Sequence, residues 1–251
     1  WQGVAALDGV VRTGNTLRYA ETDFETLVDS PMFAGSNYKA WDLGHDVRLN
    51  VFADRPGDLA ATDDQIAAHR RMVDQAIKLF GSRHYDRYEF LFALSTELGG
   101  IGLEHHRSSE NALPRVYFTD WANTAAMRGL LPHEFTHSWN GKFRRGADLW
   151  TPDYRTPMQN SLLWVYEGQT SYWDSVLAAR SGLIPKDVVL GEFANQAAFY
   201  EMQPGRAWKP LIDTTNDPIT NARRPQAFRT WQRSEDYYSE GSLIWMEADM
   251  L

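Results

Sequence analysis

A pentapeptide with two histidines carries the clearest chemical signal in this 251-residue sequence, and it reads His133-Glu134-Phe135-Thr136-His137. On an α-helix, residues four positions apart differ by about 40° around the axis and about 6 Å along it, so both imidazoles can reach one metal ion. Glu134 would lie beside that ion and could accept a proton from a water in an open coordination position. The spacing therefore predicts a hydrolytic metal site.

The alternative is a chance match on an ordinary amphipathic helix. The chain contains 7 histidines and 33 acidic residues. A His-acid-x-x-His pattern then arises by chance in roughly 2–3% of such compositions. The helix-compatible residues around the pentapeptide, Leu130-Leu131-Pro132 before it and Trp139 after it, favour the metal site.

A catalytic zinc needs a third protein ligand. The metzincin pattern, with Gly and His three and six residues beyond the second histidine, is not present. Glu167 lies on a mostly inward-facing stripe of the next predicted helix, and a buried carboxylate needs a partner that a metal can supply. We predict Glu167 as the third ligand; if it is instead solvated, Asp148 or Asp153 takes that place.

Four sequence segments resemble one peptidase family. They are HEFTHSWNGK from His133, WVYEGQTSY from Trp164, GGIGLEH from Gly99 to His105, and Tyr238-Ser239-Glu240-Gly241. The first three are similar to motifs of the glycyl aminopeptidase family of gluzincin zinc metallopeptidases, related to the aminopeptidase N type. The fourth resembles the Tyr-Glu-Lys-Gly motif of its larger relatives, although Ser239-Glu240 departs from it.

The resemblance implies an α+β fold with two parts. Residues 56–251 would form a thermolysin-like catalytic domain, mainly helical with a small sheet, which we expect to be incomplete at its C-terminus. Residues 1–55 would be the end of a β-rich N-terminal domain. Full-length relatives often continue into a PDZ domain.

The resemblance also implies a zinc aminopeptidase that prefers small N-terminal residues such as Gly or Ala, with one Zn²⁺ per chain. Glu134 would be the general base, and Glu104 would bind the substrate's α-ammonium, with Gly100 and Gly102 beside the substrate. Tyr238 would donate a hydrogen bond to the developing oxyanion. The alternatives are that Glu104 is an ordinary edge-strand acid, and that Tyr238 and its neighbour Tyr237 only pack a loop.

The elements that would position these residues follow from periodicity and turn signals. Strands are predicted at residues 16–19, 24–28, 47–52, 88–94 and 116–119. Helices are predicted from the N-cap Thr62 to Gly81 and at residues 125–140, 161–180, 185–202 and 237–251. The loop at 205–235 is long enough to expect a function for it.

Composition limits the classes of function. The chain has no cysteine, which excludes thiolate catalysis, and its net charge of -8 disfavours nucleic-acid and anionic-membrane binding. Composition thus favours peptide or small-molecule chemistry, no uninterrupted apolar run is long enough for membrane insertion, and the resemblance implies peptides with a free N-terminus as partners. Two rival functions remain: a zinc endopeptidase with the same metal site, and a catalytically silent peptide-binding module. No signal peptide is recognisable, so the sequence does not define the localisation, although an extracytoplasmic or periplasmic location would be compatible with it. The sequence does not define the oligomeric state either.

Overall fold

The computed structural model describes residues 1–217 and 227–251, which form a mixed α+β fold with a five-stranded sheet followed by a helical region. This architecture confirms the expected fold class. The strands are β1 (Gln2–Ala5), β2 (Val11–Thr13), β3 (Thr16–Arg18), β4 (Met32–Gly35), β5 (Tyr38–Gly44), β6 (Val47–Ala53), β7 (Tyr88–Leu94), β8 (Ile101–Glu104) and β9 (Ser108–Leu113). The helices are α1 (Phe24–Val28), α2 (Asp63–Phe80), α3 (Leu130–Thr136), α4 (Leu163–Ser181), α5 (Lys186–Glu201), α6 (Leu211–Thr214), α7 (Arg229–Gln232) and α8 (Asp236–Met250).

The five-stranded sheet has the order β5-β6-β7-β9-β8. Its central strands β6, β7 and β9 are parallel, whereas β5 and β8 pair antiparallel at the two edges. Every residue of β7 is buried, as its mostly apolar sequence YEFLFAL predicted. Strand β8 is thus an edge strand, and it contacts helix α3, which carries the predicted ligand His133.

The predicted domain boundary at residue 55 falls next to this sheet. Strand β6 before the boundary pairs in parallel with β7 after it, so the sheet takes strands from both sides. The pairs β1–β4 and β2–β3 form separate two-stranded sheets. The division of the chain into two domains stays a prediction.

Helix α2 begins and ends as its sequence predicted. Thr62 and Gln65 form a reciprocal capping box at the N-terminus, and Gly81 closes the C-terminus with a left-handed φ of 68°. The buried face of α2 includes Met72 and Val73, which join the main hydrophobic cluster with the strands of the sheet. Its packing against β5 and α4 links the sheet to the helical region.

Two predicted strands are wrong. Residues 24–28 form helix α1, because the Asp23 side chain accepts a hydrogen bond from the Thr26 backbone N–H and caps it. Residues 116–119 form a run of turns. There Tyr117 is buried because its ring packs in the core and its hydroxyl lies 2.9 Å from Nε2 of His69. Such short, partly apolar segments of four or five residues are compatible with either element, so periodicity alone could not decide.

The predicted helix at 125–140 is shorter than expected. It starts as a 3₁₀ turn at Ala125–Gly129 and continues as α3, which ends at Thr136. The Thr136 hydroxyl donates to the Pro132 carbonyl at 2.7 Å, a side-chain bond of the kind that competes with helix continuation. Part of the predicted loop at 205–235 lies outside the described residues, and its described parts contain α6 and α7.

Helices α4 and α8 touch through their backbones. A Cβ atom placed on Gly168 of α4 would lie 2.7 Å from the Tyr237 carbonyl oxygen and 2.8 Å from Cα of Gly241. Only glycine permits this approach, which brings the first turn of α8 next to the middle of α4. Within the described ranges, no helix is both long and apolar enough to span a membrane.

Candidate active site

Three side chains from two helices meet at one point. His133 lies on α3, His137 follows the last residue of that helix, and Glu167 lies on α4. The two Nε2 atoms are 3.2 Å apart, and Oε2 of Glu167 is 3.2 Å from Nε2 of His133 and 3.3 Å from Nε2 of His137. Ligand atoms on a tetrahedral zinc with bonds of about 2.0–2.1 Å lie about 3.3–3.4 Å apart. The three predicted ligands therefore have the spacing that zinc requires.

The outer nitrogens of both imidazoles have their own acceptors. Nδ1 of His133 lies 2.8 Å from Oδ2 of Asp174, and Nδ1 of His137 lies 2.9 Å from the Asn140 carbonyl oxygen. When each Nδ1 donates its proton outward, both Nε2 lone pairs point at the carboxylate of Glu167. Two lone pairs and an anionic oxygen in a buried position require a cation between them, so these residues fit a zinc ion.

The pKa shifts of the three side chains also favour a bound cation. Burial alone would raise the pKa of Glu167, but the neighbouring imidazoles of His137 and His133 outweigh it and lower the pKa to about 2. Burial would lower the pKa of both histidines, yet Asp174 and Glu167 raise that of His133, and Glu167 raises that of His137. The cluster therefore retains a positive charge, which either protons or a metal dication can supply.

The two alternative ligands lie elsewhere. Asp148 accepts a hydrogen bond from the Ser161 hydroxyl. Asp153 closes a turn by accepting from the backbone N–H groups of Arg155 and Thr156 at 2.9 and 2.8 Å. Neither belongs to a potential metal-binding group among the residues that the structure describes.

Glu134 is buried between the edge strand β8 and the metal-site imidazoles. Burial raises its pKa to about 7, against the opposite effect of His133 and His137, while Glu104 and Glu167 raise it further. A bound dication would lower this pKa and favour the ionised form that accepts protons. A Cβ on Gly102 would collide with the Glu134 carboxylate, so Gly102 permits the close approach of β8.

Of the two predicted substrate-side glycines, the structure brings only Gly102 against the catalytic carboxylate. A Cβ on Gly102 would lie 2.6 Å from a methyl of Leu130, whereas a Cβ on Gly100 would meet nothing within 4 Å. Gly100 instead lines an open depression together with Leu98 and Phe33. The outer edge of β8 around Gly102 is where an extended peptide could add to the sheet.

Glu104 is the second carboxylate beside the metal ligands. One carboxylate oxygen of Glu104 lies within 4.8 Å of a carboxylate oxygen of Glu134 and of a ring nitrogen of His137, and those two atoms lie equally close to each other. The Tyr166 hydroxyl donates to Glu104, and the Tyr166 ring packs on that of His137 with centroids 4.7 Å apart. Two carboxylates this close favour a positively charged group beside the candidate metal ligands.

A partly buried network of charged side chains holds the end of β8 in place. Asp29, which follows α1, accepts from the His106 backbone N–H at 2.8 Å and lies 3.1 Å from Nδ1 of His105 and 3.4 Å from Nζ of Lys142. Nε2 of His105 lies 3.1 Å from Oε1 of Glu110. Burial opposes the ionisation of Asp29, but His105 and Lys142 outweigh it and lower the pKa to about 2. His105, the residue after Glu104, is thus held by Asp29 at one ring nitrogen and by Glu110 at the other.

Tyr238 lies in the first turn of α8 and faces the metal ligands. Its ring centroid is 6.1 Å from that of His133, and its hydroxyl is close enough to Glu167 for the charge of that carboxylate to add to the effect of burial on its pKa. Burial, reinforced by the charge of Glu167, raises the pKa of Tyr238, so the phenol stays protonated near neutral pH. Tyr237 is buried behind it against Gly168. The geometry thus distinguishes the two tyrosines.

Sequence reasoning gave no role to Asp174, Asn140 or Tyr166, although each touches a predicted site residue. For Asp174 a signal was available: it lies seven residues after Glu167, on the same face of α4. The contacts of Asn140 and Tyr166 depend on how the chain turns after α3, where the Asn140 amide donates to the Val165 and Tyr166 carbonyls at 3.0 Å. Sequence spacing does not encode that turn.

The fold is similar to that of solved structures of the aminopeptidase N type, and it carries a candidate His-His-Glu metal site. An aminopeptidase N family protein from Idiomarina loihiensis matches with a TM-score of 0.81 at 20% identity, covering 99% of this chain and 43% of that one. Leukotriene A4 hydrolase from yeast matches with a TM-score of 0.59 at 14% identity (99% and 36% covered). An M1 zinc metallopeptidase from Deinococcus radiodurans matches with a TM-score of 0.50 at 16% identity (96% and 48% covered).

Residues 126–244 match the M61 glycyl aminopeptidase family, and this stretch contains the three candidate metal ligands, Glu134 and Tyr238. The resemblance inferred from the motifs is thereby confirmed. Glu104 and the glycines before it lie outside the matched region. The chain spans less than half the length of the solved structures that it matches. Comparison with curated protein sequences gives no match.

Proposed function

We propose that this chain is the catalytic region of a zinc-dependent aminopeptidase that hydrolyses the N-terminal peptide bond of peptides. The observation that carries this proposal is the position of Glu104, whose carboxylate lies within 4.8 Å of Glu134 and His137. An α-ammonium bound there would hold the first peptide bond of the substrate at the metal ligands. An endopeptidase has no need for a second carboxylate at this position.

Each residue of the site then has one task. His133, His137 and Glu167 would hold one zinc ion, which when bound polarises the scissile carbonyl and activates water. Glu134 accepts the proton of the attacking water and passes it to the leaving amine. Tyr238 donates a hydrogen bond to the carbonyl oxygen as negative charge develops on it. Asp174 keeps the imidazole of His133 in the tautomer that binds metal.

We further propose a preference for small N-terminal residues such as Gly or Ala. The Tyr166 ring lies between Glu104 and His137 and limits the space beside the bound ammonium. A Cβ on Gly141 would lie 2.7 Å from that ring, which shows how closely Tyr166 is held. A bulky first side chain would have to displace it.

The decisive experiment compares substrates with free and blocked N-termini. Glycyl, alanyl and leucyl p-nitroanilides and their N-acetylated forms are incubated with the zinc-loaded protein, with and without a chelator. We expect chelator-sensitive hydrolysis of the free-amine substrates, fastest for glycyl and alanyl. Comparable cleavage of N-acetylated peptides would identify an endopeptidase, and peptide binding without hydrolysis would identify a silent binding module.

Glu104→Gln tests the anchoring carboxylate. It should lower kcat/KM on free-amine substrates by about 10-fold or more, the loss of a charge-assisted hydrogen bond of about 1.5–3 kcal/mol. Glu97→Gln, at an exposed position in the loop before β8, is the matched control and should leave kcat/KM unchanged. Equal effects of Glu104→Gln on free and blocked substrates would leave Glu104 a structural residue.

A further inference from the structure

A cavity of about 490 Å³ opens beside the catalytic residues, where α4, α5 and α8 contribute to its wall. Its inner wall contains His133, Glu134 and Tyr238, and its outer wall includes Glu192 and Gln196 of α5. Glu104 and His137 do not line it. The volume is within the range of pockets that bind small molecules, so it can accept a long side chain.

The position of this cavity identifies which part of a substrate enters it. If the α-ammonium binds Glu104, beside His137, the scissile carbonyl lies at the metal ligands. The chain beyond that bond must then continue on the His133 side, where the cavity opens. This step rests on the proposed aminopeptidase function, and it assigns the cavity to the second residue of the substrate.

The cavity wall carries acidic side chains. Its described lining includes the carboxylates of Glu134, Asp174 and Glu192 but no lysine or arginine. Glu134 acts on the reacting bond, and Asp174 is already held by His133 at 2.8 Å and Ser175 at 3.0 Å. The third carboxylate, Glu192, has neither of these roles, and it is half-buried at the wall of the cavity that α5 forms. Burial and the nearby charge of Asp174 raise its pKa, so an adjacent cation would stabilise its ionised form.

The rest of the far wall is suited to a polar group. Ser171 and Ser175 of α4 and Ser239 and Ser242 of α8 present hydroxyls around it. The Ser242 hydroxyl donates to the Ser239 carbonyl oxygen at 2.8 Å and lies 3.3 Å from Oε1 of Gln196, one turn along α5 from Glu192. An apolar side chain would bury the Glu192 carboxylate without a partner, whereas a cationic chain with an aliphatic stem would pair with it.

We propose that Glu192 makes this enzyme selective for peptides whose second residue is lysine or arginine. The aliphatic stem of that side chain lies along the apolar residues near the metal, such as Leu130 and Ile184, and its charged end reaches Glu192. The Glu192 carboxylate is thus a specificity determinant for the leaving part of the peptide, separate from the ammonium anchor Glu104.

The test uses amidated tripeptides Gly-Lys-Ala, Gly-Gln-Ala and Gly-Glu-Ala together with glycyl p-nitroanilide, which has no second residue. We expect kcat/KM for the Lys peptide to exceed that for the Gln peptide by roughly tenfold, equivalent to about 1.4 kcal/mol, and the Glu peptide to be poorest. Glu192→Gln should bring the Lys to Gln ratio near one and leave the anilide unaffected. Glu201→Gln, exposed at the end of the same helix, should keep the ratio.

Binding gives a second readout that does not depend on turnover. Calorimetry with the product amides Lys-Ala and Gln-Ala should show tighter binding of the Lys compound, and Glu192→Gln should remove the difference. If glycyl p-nitroanilide is not hydrolysed, the aminopeptidase proposal fails, and calorimetry still decides the role of Glu192. Hydrolysis of the anilide with no Lys preference, or a preference that survives Glu192→Gln, would overturn the inference alone.

Discussion

Replacing Gly168 by alanine tests whether the contact between α4 and α8 positions Tyr238. The added methyl would lie 2.7 Å from the Tyr237 carbonyl oxygen and 3.0 Å from the carbonyl carbon of Gly241. These are backbone atoms, so no side-chain rotation can relieve the overlap. We expect α8 to move away from α4 and to carry Tyr238 away from Glu167.

The magnitude follows from two opposing effects on the free energy of unfolding. Alanine is favoured over glycine in a helix by about 0.5–1 kcal/mol, whereas overpacking against a rigid surface costs about 1–3 kcal/mol. A clash with backbone belongs in the upper part of that range, so Gly168→Ala should destabilise the protein by about 1–2 kcal/mol. Gly191→Ala on α5 is the matched control, since a Cβ there meets nothing within 4 Å. The free energy of unfolding of Gly191→Ala should therefore rise by the helix propensity of alanine alone, about 0.5–1 kcal/mol.

The difference in the free energy of unfolding between Gly168→Ala and Gly191→Ala thus isolates the cost of the backbone clash, about 2–3 kcal/mol. Thermal unfolding should show Gly168→Ala melting about 4–12 °C below Gly191→Ala. Turnover of glycyl p-nitroanilide should fall in the first variant only, and adding Tyr238→Phe to Gly168→Ala should cost less than Tyr238→Phe does alone. Equal melting temperatures, or full additivity of the two losses in turnover, would refute this account of the helix contact.

Three further predictions concern the site itself. Glu134→Gln should keep zinc and fold but reduce turnover by several orders of magnitude, because an amide cannot accept the water proton; near-normal turnover at full zinc content would exclude Glu134 as base. Tyr238→Phe should lose about 2.7–4 kcal/mol of transition-state stabilisation, about 10²–10³ in kcat, with Tyr237→Phe as the nearly silent control; a change in KM alone would argue against an oxyanion role. Zinc, expected at one ion per chain, should be released as the pH falls, since the carboxylates raise the pKa of both imidazoles and protons then displace the metal. A dye assay for free zinc follows this release, and metal retained after His137→Ala would contradict the ligand assignment.

The ligand set was predictable because its geometry is local. His133 and His137 are separated by one helical turn, and Glu167 lies on the inward stripe of the next long helix, so helical periodicity places all three. The buried strand β7 and the capped helix α2 were predictable for the same reason, since each carries an uninterrupted pattern with clear end signals. The family resemblance added Glu104 and Tyr238, which no periodicity indicates.

What the sequence did not reveal depends on contacts distant in the chain. Residues 24–28 have the composition of a strand, yet the Asp23 cap makes them helical. The early end of α3 lets Asn140 turn back to hold His137, and no spacing rule predicts such a turn. The cavity wall around Glu192 is formed by α4, α5 and α8 together, so its charge becomes visible only when the helices are packed.

The network around Asp29 has a consequence for how this protein can change in evolution. A chain that began at the first strand of the five-stranded sheet would keep every predicted site residue and lose the carboxylate that holds His105, His106 and Lys142 together. The segment before the sheet is therefore not an exchangeable module. Recombination that joined a foreign leading segment to this catalytic region would have to supply an equivalent acid at the same place, or leave the end of β8, and with it Glu104, without its support.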